Sequence, residues 1–195
     1  MCGVKKRKFW DHRPTREGVE SKRSELRNIL HDEWRRRLTQ PYAGLRTIEA
    51  VRPVLSEWLD RKYGVITFRM TQVLSGYGCF GIYLCRIAGR EPTSACHHCD
   101  SCFEETAQHT LEECPAWVEQ RGELVAAVSS ELSLPTIVRS MVESKRSWHA
   151  AQAFCDEVVV KKEAAERERE DSAPDPIAVG VWVAEGELMA LQLPT

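Results

Sequence analysis

Seven residues whose side chains bind soft metal ions crowd into nineteen positions: Cys96, His97, His98, Cys99, Cys102, His109 and Cys114. Zinc takes four thiolate or imidazole ligands in a tetrahedron. A Cys-x2-Cys pair supplies two thiolates from one tight turn, and a separate His-x4-Cys segment supplies the other two ligands. Cys96, Cys99, His109 and Cys114 make that pattern, with nine residues between the halves. A second frame, Cys99-x2-Cys102-x6-His109-x4-Cys114, leaves Cys96 free; the first frame is favoured, with Cys102 as the spare thiol. Four protein ligands leave no position for a reactive water, so the expected cofactor is structural zinc and not a catalytic ion. The bland alternative is a set of reduced cysteines without metal.

The segment from Thr106 to Cys114 reads as about two helical turns stopped by Pro115, which would put His109 and Cys114 on neighbouring faces. Upstream, Gly76-Tyr77-Gly78-Cys79-Phe80-Gly81 matches a phosphate-cradling G-x-G-x-x-G. No βαβ pattern surrounds it, the cysteine cluster begins fifteen residues after Gly81, and no kinase motif follows. These glycines are expected to serve tight turns or close packing, with Cys79, Phe80 and Tyr83 as packing residues.

The elements that must position the cluster read as helices. Val19, Leu26, Ile29, Leu30, Trp34 and Leu38 recur mostly at three- and four-residue spacing, predicting a helix over 16–38 that ends in Arg35, Arg36 and Arg37. The helix dipole favours cations there. A second stripe runs from Leu45 to Leu59 and is interrupted by Pro53, which must kink it or begin a fresh helix. Residues 65–74 incline to helix. Further helical patterns cover 117–132 and 134–142, where Pro135 suits a first turn. A long helix from Trp148 carries one apolar face and then runs out through 161–170 as a solvated, charge-paired stretch. Cys85 and Cys155 sit in apolar patterns. Residues 1–15 read as a poorly ordered basic start, and a short strand is expected around 179–183.

Composition bounds the class. The 195 residues are 43% hydrophobic and 29% charged, a globular balance. No apolar run approaches the roughly 18 residues of a membrane span, and the Met1–Lys8 start has no apolar stretch behind its charges. The expectation is a nuclear or cytoplasmic chain, not secreted, with no membrane partner and no small-molecule substrate. Eight cysteines then belong to a reducing compartment and not to a disulfide scaffold. The net charge of −2 hides two halves: residues 1–90 hold 19 Lys and Arg against 9 Asp and Glu, and residues 91–195 hold 8 against 20. A basic half can neutralise phosphates, so RNA or DNA is the first partner to consider, with Arg35, Arg36, Arg37, Arg61, Lys62 and Arg69 as contact candidates. Two halves that simply neutralise each other are the bland alternative.

Thr71-Gln72-Val73-Leu74-Ser75-Gly76-Tyr77-Gly78-Cys79-Phe80-Gly81-Ile82-Tyr83-Leu84, Arg86-Ile87, and the stretch from Cys96 to Trp117 with Ala107-Gln108-His109-Thr110-Leu111-Glu112-Glu113-Cys114-Pro115 resemble the C-terminal region of arthropod non-LTR (LINE-type) retrotransposon reverse transcriptases. The likeness extends more loosely to Glu131-Leu132-Ser133-Leu134-Pro135 and Lys162-Glu163-Ala164-Ala165-Glu166-Arg167, and covers most of residues 25–176. It implies a helical linker and zinc knuckle downstream of an RNA-directed DNA polymerase, with Cys96, Cys99, His109 and Cys114 as zinc ligands. The family's aromatic-x-Asp-Asp motif, which holds catalytic metal ions, has no counterpart, since the chain contains no Asp-Asp pair. The chain alone is therefore expected not to polymerise DNA, and no catalytic residue is assigned. Two features depart from the family: the Cys-to-His spacing of nine is longer than usual, and residues 171–195 contain no Lys or Arg where relatives are Arg-rich.

The expected architecture is a mainly α-helical fragment with a small structural zinc knuckle, not a complete polymerase fold. It divides into a basic start (1–15), a basic helical region (16–92), the knuckle (93–117), an acidic helical region (118–170) and a divergent tail (171–195). The alternative function is a zinc-stabilised protein-interaction module, or a degenerate reading frame without a polymerase role.

Overall fold

A computed structural model describes residues 15–172. The expected strand at 179–183 and nearly all of the expected basic start lie outside them; Thr15, inside, caps a helix. Among the described residues the chain is mainly helical and has no strand: α1 Arg16–Arg37, α2 Leu45–Val51, α3 Leu55–Asp60, α4 Phe68–Ser75, α5 Gly81–Arg86, α6 Ala107–Glu112, α7 Val118–Ala127, α8 Leu134–Glu143 and α9 Lys145–Ser172.

Local chemistry sets most of these boundaries. Threonine hydroxyls at Thr15, Thr67 and Thr106 accept from the backbone N–H of Gly18, Met70 and His109, satisfying one orphan donor at the start of α1, α4 and α6. Pro53 sits in a single 3-10 turn, Arg52–Val54, and α3 begins afresh beyond it, so the interruption read from the sequence is real. Pro135 stands in the first turn of α8. Two elements are shorter than expected. The 65–74 helix starts at Phe68, where Thr67 supplies the cap, and α7 ends at Ala127 and not near Leu132. Leu132 is nonetheless buried, since the connection between α7 and α8 folds back on the core.

One apolar core runs through all three described regions, from Ala50 and Leu55 through Met70, Phe80 and Leu111 to Val138, Trp148, Phe154 and Val159. Helix α9 is its spine, packed against α4, α7 and α8. Trp148 is fully buried near its start, with Trp58 and Tyr63 against it. Gly64, at φ +76°, leaves room for that indole: a β-carbon there would lie 2.1 Å from Trp148 Cε2.

Helix α1 is the exception to this packing. It leans on α3 through His31, which faces Asp60, and through Arg35, which donates to Ser56. Its Leu26, Ile29, Leu30 and Trp34 stay between 50% and 58% exposed, an apolar stripe with nothing over it among the described residues.

Candidate metal centre

The glycine turn lies close to the candidate site. Gly76 ends α4 in the left-handed conformation (φ +76°), and Gly78 (φ +100°) lets the Gln72 side chain close over the turn and accept from Cys79 N–H. Cys79 and Phe80 are buried and Tyr83 is half-buried, so the expectation of turns and packing holds. The loop that follows α5 is pinned by main-chain bonds: Cys96 N–H donates to the Cys102 carbonyl at 2.9 Å, Glu105 N–H to that of Ser94 at 2.7 Å, and Ile82 N–H to that of Glu105 at 3.0 Å. These bonds fold residues 94–105 into a tight turn and bring Cys96 and Cys99 together.

The second ligand pair arrives on a different scaffold from the one expected. His109 occupies the first turn of α6, held by the Thr106 cap, but the helix ends at Glu112 and Cys114 lies beyond it. Both Glu113 and Cys114 N–H groups donate to the His109 carbonyl at 2.9 Å, so the chain leaves the helix there and Cys114 joins the cluster from beyond it and not from a neighbouring helical face. Pro115 opens the next 3-10 turn. Arg121 of α7 reaches back to the carbonyls that this ending leaves open, those of Leu111 at 2.8 Å, Cys114 at 2.6 Å and Thr110 at 3.3 Å.

The result is a cluster of four. Ligand atoms of Cys96, Cys99, His109 and Cys114 all lie within 4.8 Å of one another, with Cys96 Sγ 3.9 Å from Cys114 Sγ and Cys99 Sγ 3.4 Å from His109 Nε2. A tetrahedral zinc at ordinary bond lengths requires edges of roughly 3.8 Å between sulfurs and roughly 3.6 Å between sulfur and nitrogen. The donor set and the spacing therefore fit a metal ion. Cys102 stands outside the cluster and contributes its carbonyl to the turn, so the frame containing Cys96 is the one the fold assembles.

The surroundings suit metal binding in a second respect. His109 turns Nε2 inward and its Nδ1 faces Glu113 Oε2 at 3.2 Å, an arrangement that orients a ligating imidazole. The backbone amides of His98, Ser101 and Ala116 favour the ionised thiols of Cys96, Cys99 and Cys114 in turn. Burial pushes the Cys96 and Cys114 thiols up. Burial also opposes ionisation of Cys99, but the Ser101 hydroxyl and amide, with His109, bring it down to about 7. A metal held there would have to displace protons from the Cys96 and Cys114 thiols. His98 packs on Trp117 at 4.9 Å between ring centroids, outside the cluster of four; His97 faces Glu91 at 3.5 Å.

The six cationic candidates have different surroundings. Arg35, Arg36 and Arg37 are exposed on the last turn of α1, paired within that helix to Asp32 at 2.7 Å and to Glu33 at 2.8 and 2.7 Å. Arg61 lies with its guanidinium over both Trp58 and Trp148, 4.4 and 4.5 Å from the ring centroids. Lys62 is exposed. Arg69, on α4, faces Asp156 and Glu163 of α9 at 3.9 and 4.0 Å.

Sequence reasoning missed Glu105, Glu113, Arg121 and Lys162. The charged run 161–170 is not solvated throughout as expected, since Lys162 is 2% and Glu166 7% exposed. Their four-residue spacing on an otherwise charged helix matches the buried face that begins with Val158, and that continuation was the available signal. Among the described residues no helix is long and apolar enough to cross a membrane. Comparison with protein-family models, curated proteins and solved structures returns no match.

Proposed function

We propose that the chain is a zinc-stapled helical module that contacts RNA or DNA, an accessory region of a LINE-type reverse transcriptase polypeptide without polymerase chemistry of its own. The observation that carries the metal part is the closed Cys3His cluster: four protein donors within 4.8 Å suit a structural ion and offer no vacant coordination position. The bound ion would supply folding energy, not reactivity. Structural zinc is worth on the order of 10 kcal/mol of apparent binding energy in small domains, enough to decide whether residues 94–117 hold their shape.

The nucleic-acid part rests on the basic half and on the three arginines at the end of α1. Their ion pairs are exposed and within one helix, where solvent screens them, so a phosphate can displace the carboxylates. The test begins with zinc content by elemental mass spectrometry on wild type and on the Cys96→Ser, Cys102→Ser and Cys114→Ser variants. One zinc per chain, lost with Cys96 or Cys114 and kept without Cys102, is the expected result. Titration with single-stranded RNA and duplex DNA at several salt concentrations follows, because phosphate contacts make log affinity fall linearly with log salt. No salt-dependent binding would remove the nucleic-acid part and leave the metal part standing.

The uncovered stripe Leu26, Ile29, Leu30 and Trp34 favours a second reading, a zinc-stabilised protein-interaction module. Association through that stripe would weaken on Leu30→Glu substitution and respond little to salt, the reverse of phosphate binding.

A further inference from the structure

The most deeply buried charges among the described residues lie just outside the four candidate ligands. Glu105 and Lys162 form an ion pair in which the side chains are 3% and 2% exposed. One carboxylate oxygen of Glu105 accepts from Lys162 Nζ and lies 3.4 Å from Cys96 Sγ, and the other accepts from Gly81 N–H at 3.0 Å. Its main chain is tied to Ser94 and Ile82, and the Lys162 ammonium stands 5.5 Å from the centroid of the Phe80 ring. A single side chain thus touches a candidate ligand, the glycine turn and the spine helix α9. Further out, Arg169 of α9 bonds Glu91 at 2.9 Å, and Arg90 bonds Glu166 at 2.9 Å and also Glu170.

A buried ion pair is a poor way to gain stability, because desolvating both charges roughly cancels their attraction. Its position supplies a different reason. A divalent ion with three thiolates and one neutral imidazole carries a net charge of −1, here almost wholly enclosed. Glu105 beside it would add a second negative charge. Lys162 is the cation that offsets them, and it comes from a helix 48 residues beyond Cys114.

We infer that Glu105 and Lys162 form the outer shell of the metal centre and couple its occupancy to the docking of α9. The inference rests on the proposed metal reading. Coupling of this kind is reciprocal: whatever factor the docked α9 adds to metal affinity, bound metal adds to the docking of α9.

The test has two arms. Zinc affinity is measured by competition with a chromophoric chelator for wild type, Lys162→Met, Lys162→Arg and the surface control Lys161→Met. Amide exchange of residues 156–172 is followed in wild type with zinc and after chelation. Lys162→Met is expected to lose roughly 10- to 100-fold in zinc affinity, as removal of outer-shell partners does. Lys162→Arg should recover part of that, and Lys161→Met should match wild type. Chelation should speed exchange in 156–172 at least roughly tenfold. Unchanged affinity in Lys162→Met, or exchange in α9 indifferent to zinc, would overturn the coupling while leaving the metal site intact. A wild-type chain that binds no zinc would overturn both. The exchange arm needs only wild type, so it decides the matter even where a variant fails to fold.

Discussion

The α-carbon of Gly81 faces the main-chain carbonyl of Ser94 so closely that a β-carbon on it would lie 2.6 Å from that oxygen. The last glycine of the G-x-G-x-x-G match is therefore a packing residue of the loop that carries Cys96 and Cys99, and it also donates its N–H to Glu105. Since the obstructing atom is backbone and not a movable side chain, Gly81→Ala should destabilise by about 1–3 kcal/mol, read from urea unfolding midpoints. Gly122→Ala is the control. It stands exposed in α7 with nothing within 4 Å of the added carbon, and it should gain about 0.5–1 kcal/mol.

His109 is expected to need its carboxylate partner. Glu113→Gln keeps the side-chain shape but removes the charge that orients Nδ1, and it should lower zinc affinity by about tenfold in a chelator competition. An affinity equal to wild type would mean that Glu113 is a solvent-exposed bystander, a role its 70% side-chain exposure also allows.

Acid should loosen the region through His98 before most carboxylates titrate. Burial, reinforced by the nearby Lys162 charge, holds the imidazole down to about 4, whereas the unfolded chain titrates near 6.5. Between those values the unfolded state binds the extra proton, so stability is full above about 6.5 and is lost as the pH falls toward 4. The drop in stability from pH 7 to pH 5 should be larger in wild type than in His98→Asn, both measured without added zinc. The excess should be on the order of 1 kcal/mol, after allowance for solvent screening of a partly exposed ring. Equal drops would show that His98 titrates normally.

Arg61 and Arg36 should separate in a way that their shared appearance in a basic half does not suggest. Arg61→Ala strips a guanidinium from two indole faces and should cost about 1–2 kcal/mol of stability. Arg36→Ala breaks only an exposed pair with Glu33 and should leave the melting temperature nearly unchanged, while reducing the salt slope of any RNA or DNA binding by about 1.

Much of this molecule was legible before its fold was known. The period of Val19 to Leu38 and of Trp148 to Val159, the prolines at 53 and 135, and the grouping of Cys96, Cys99, His109 and Cys114 in one cluster without Cys102 are all reproduced by the structure. Each of these depends on neighbours a few residues apart: helical periodicity, a missing N–H, or a Cys-x2-Cys turn closed by its own main chain. The tertiary structure decided what depends on residues far apart in the chain. How the chain leaves α6 before Cys114 is held by Arg121, which arrives from α7 on the carbonyls of Thr110, Leu111 and Cys114. Whether Lys162 is solvated is settled by Glu105, 57 residues upstream, buried against it. Whether Arg61 is available to a phosphate is settled by the indoles of Trp58 and Trp148. A side chain's type shows what it can bind, but burial and opposing charge select its partner, and both are properties of the packed chain.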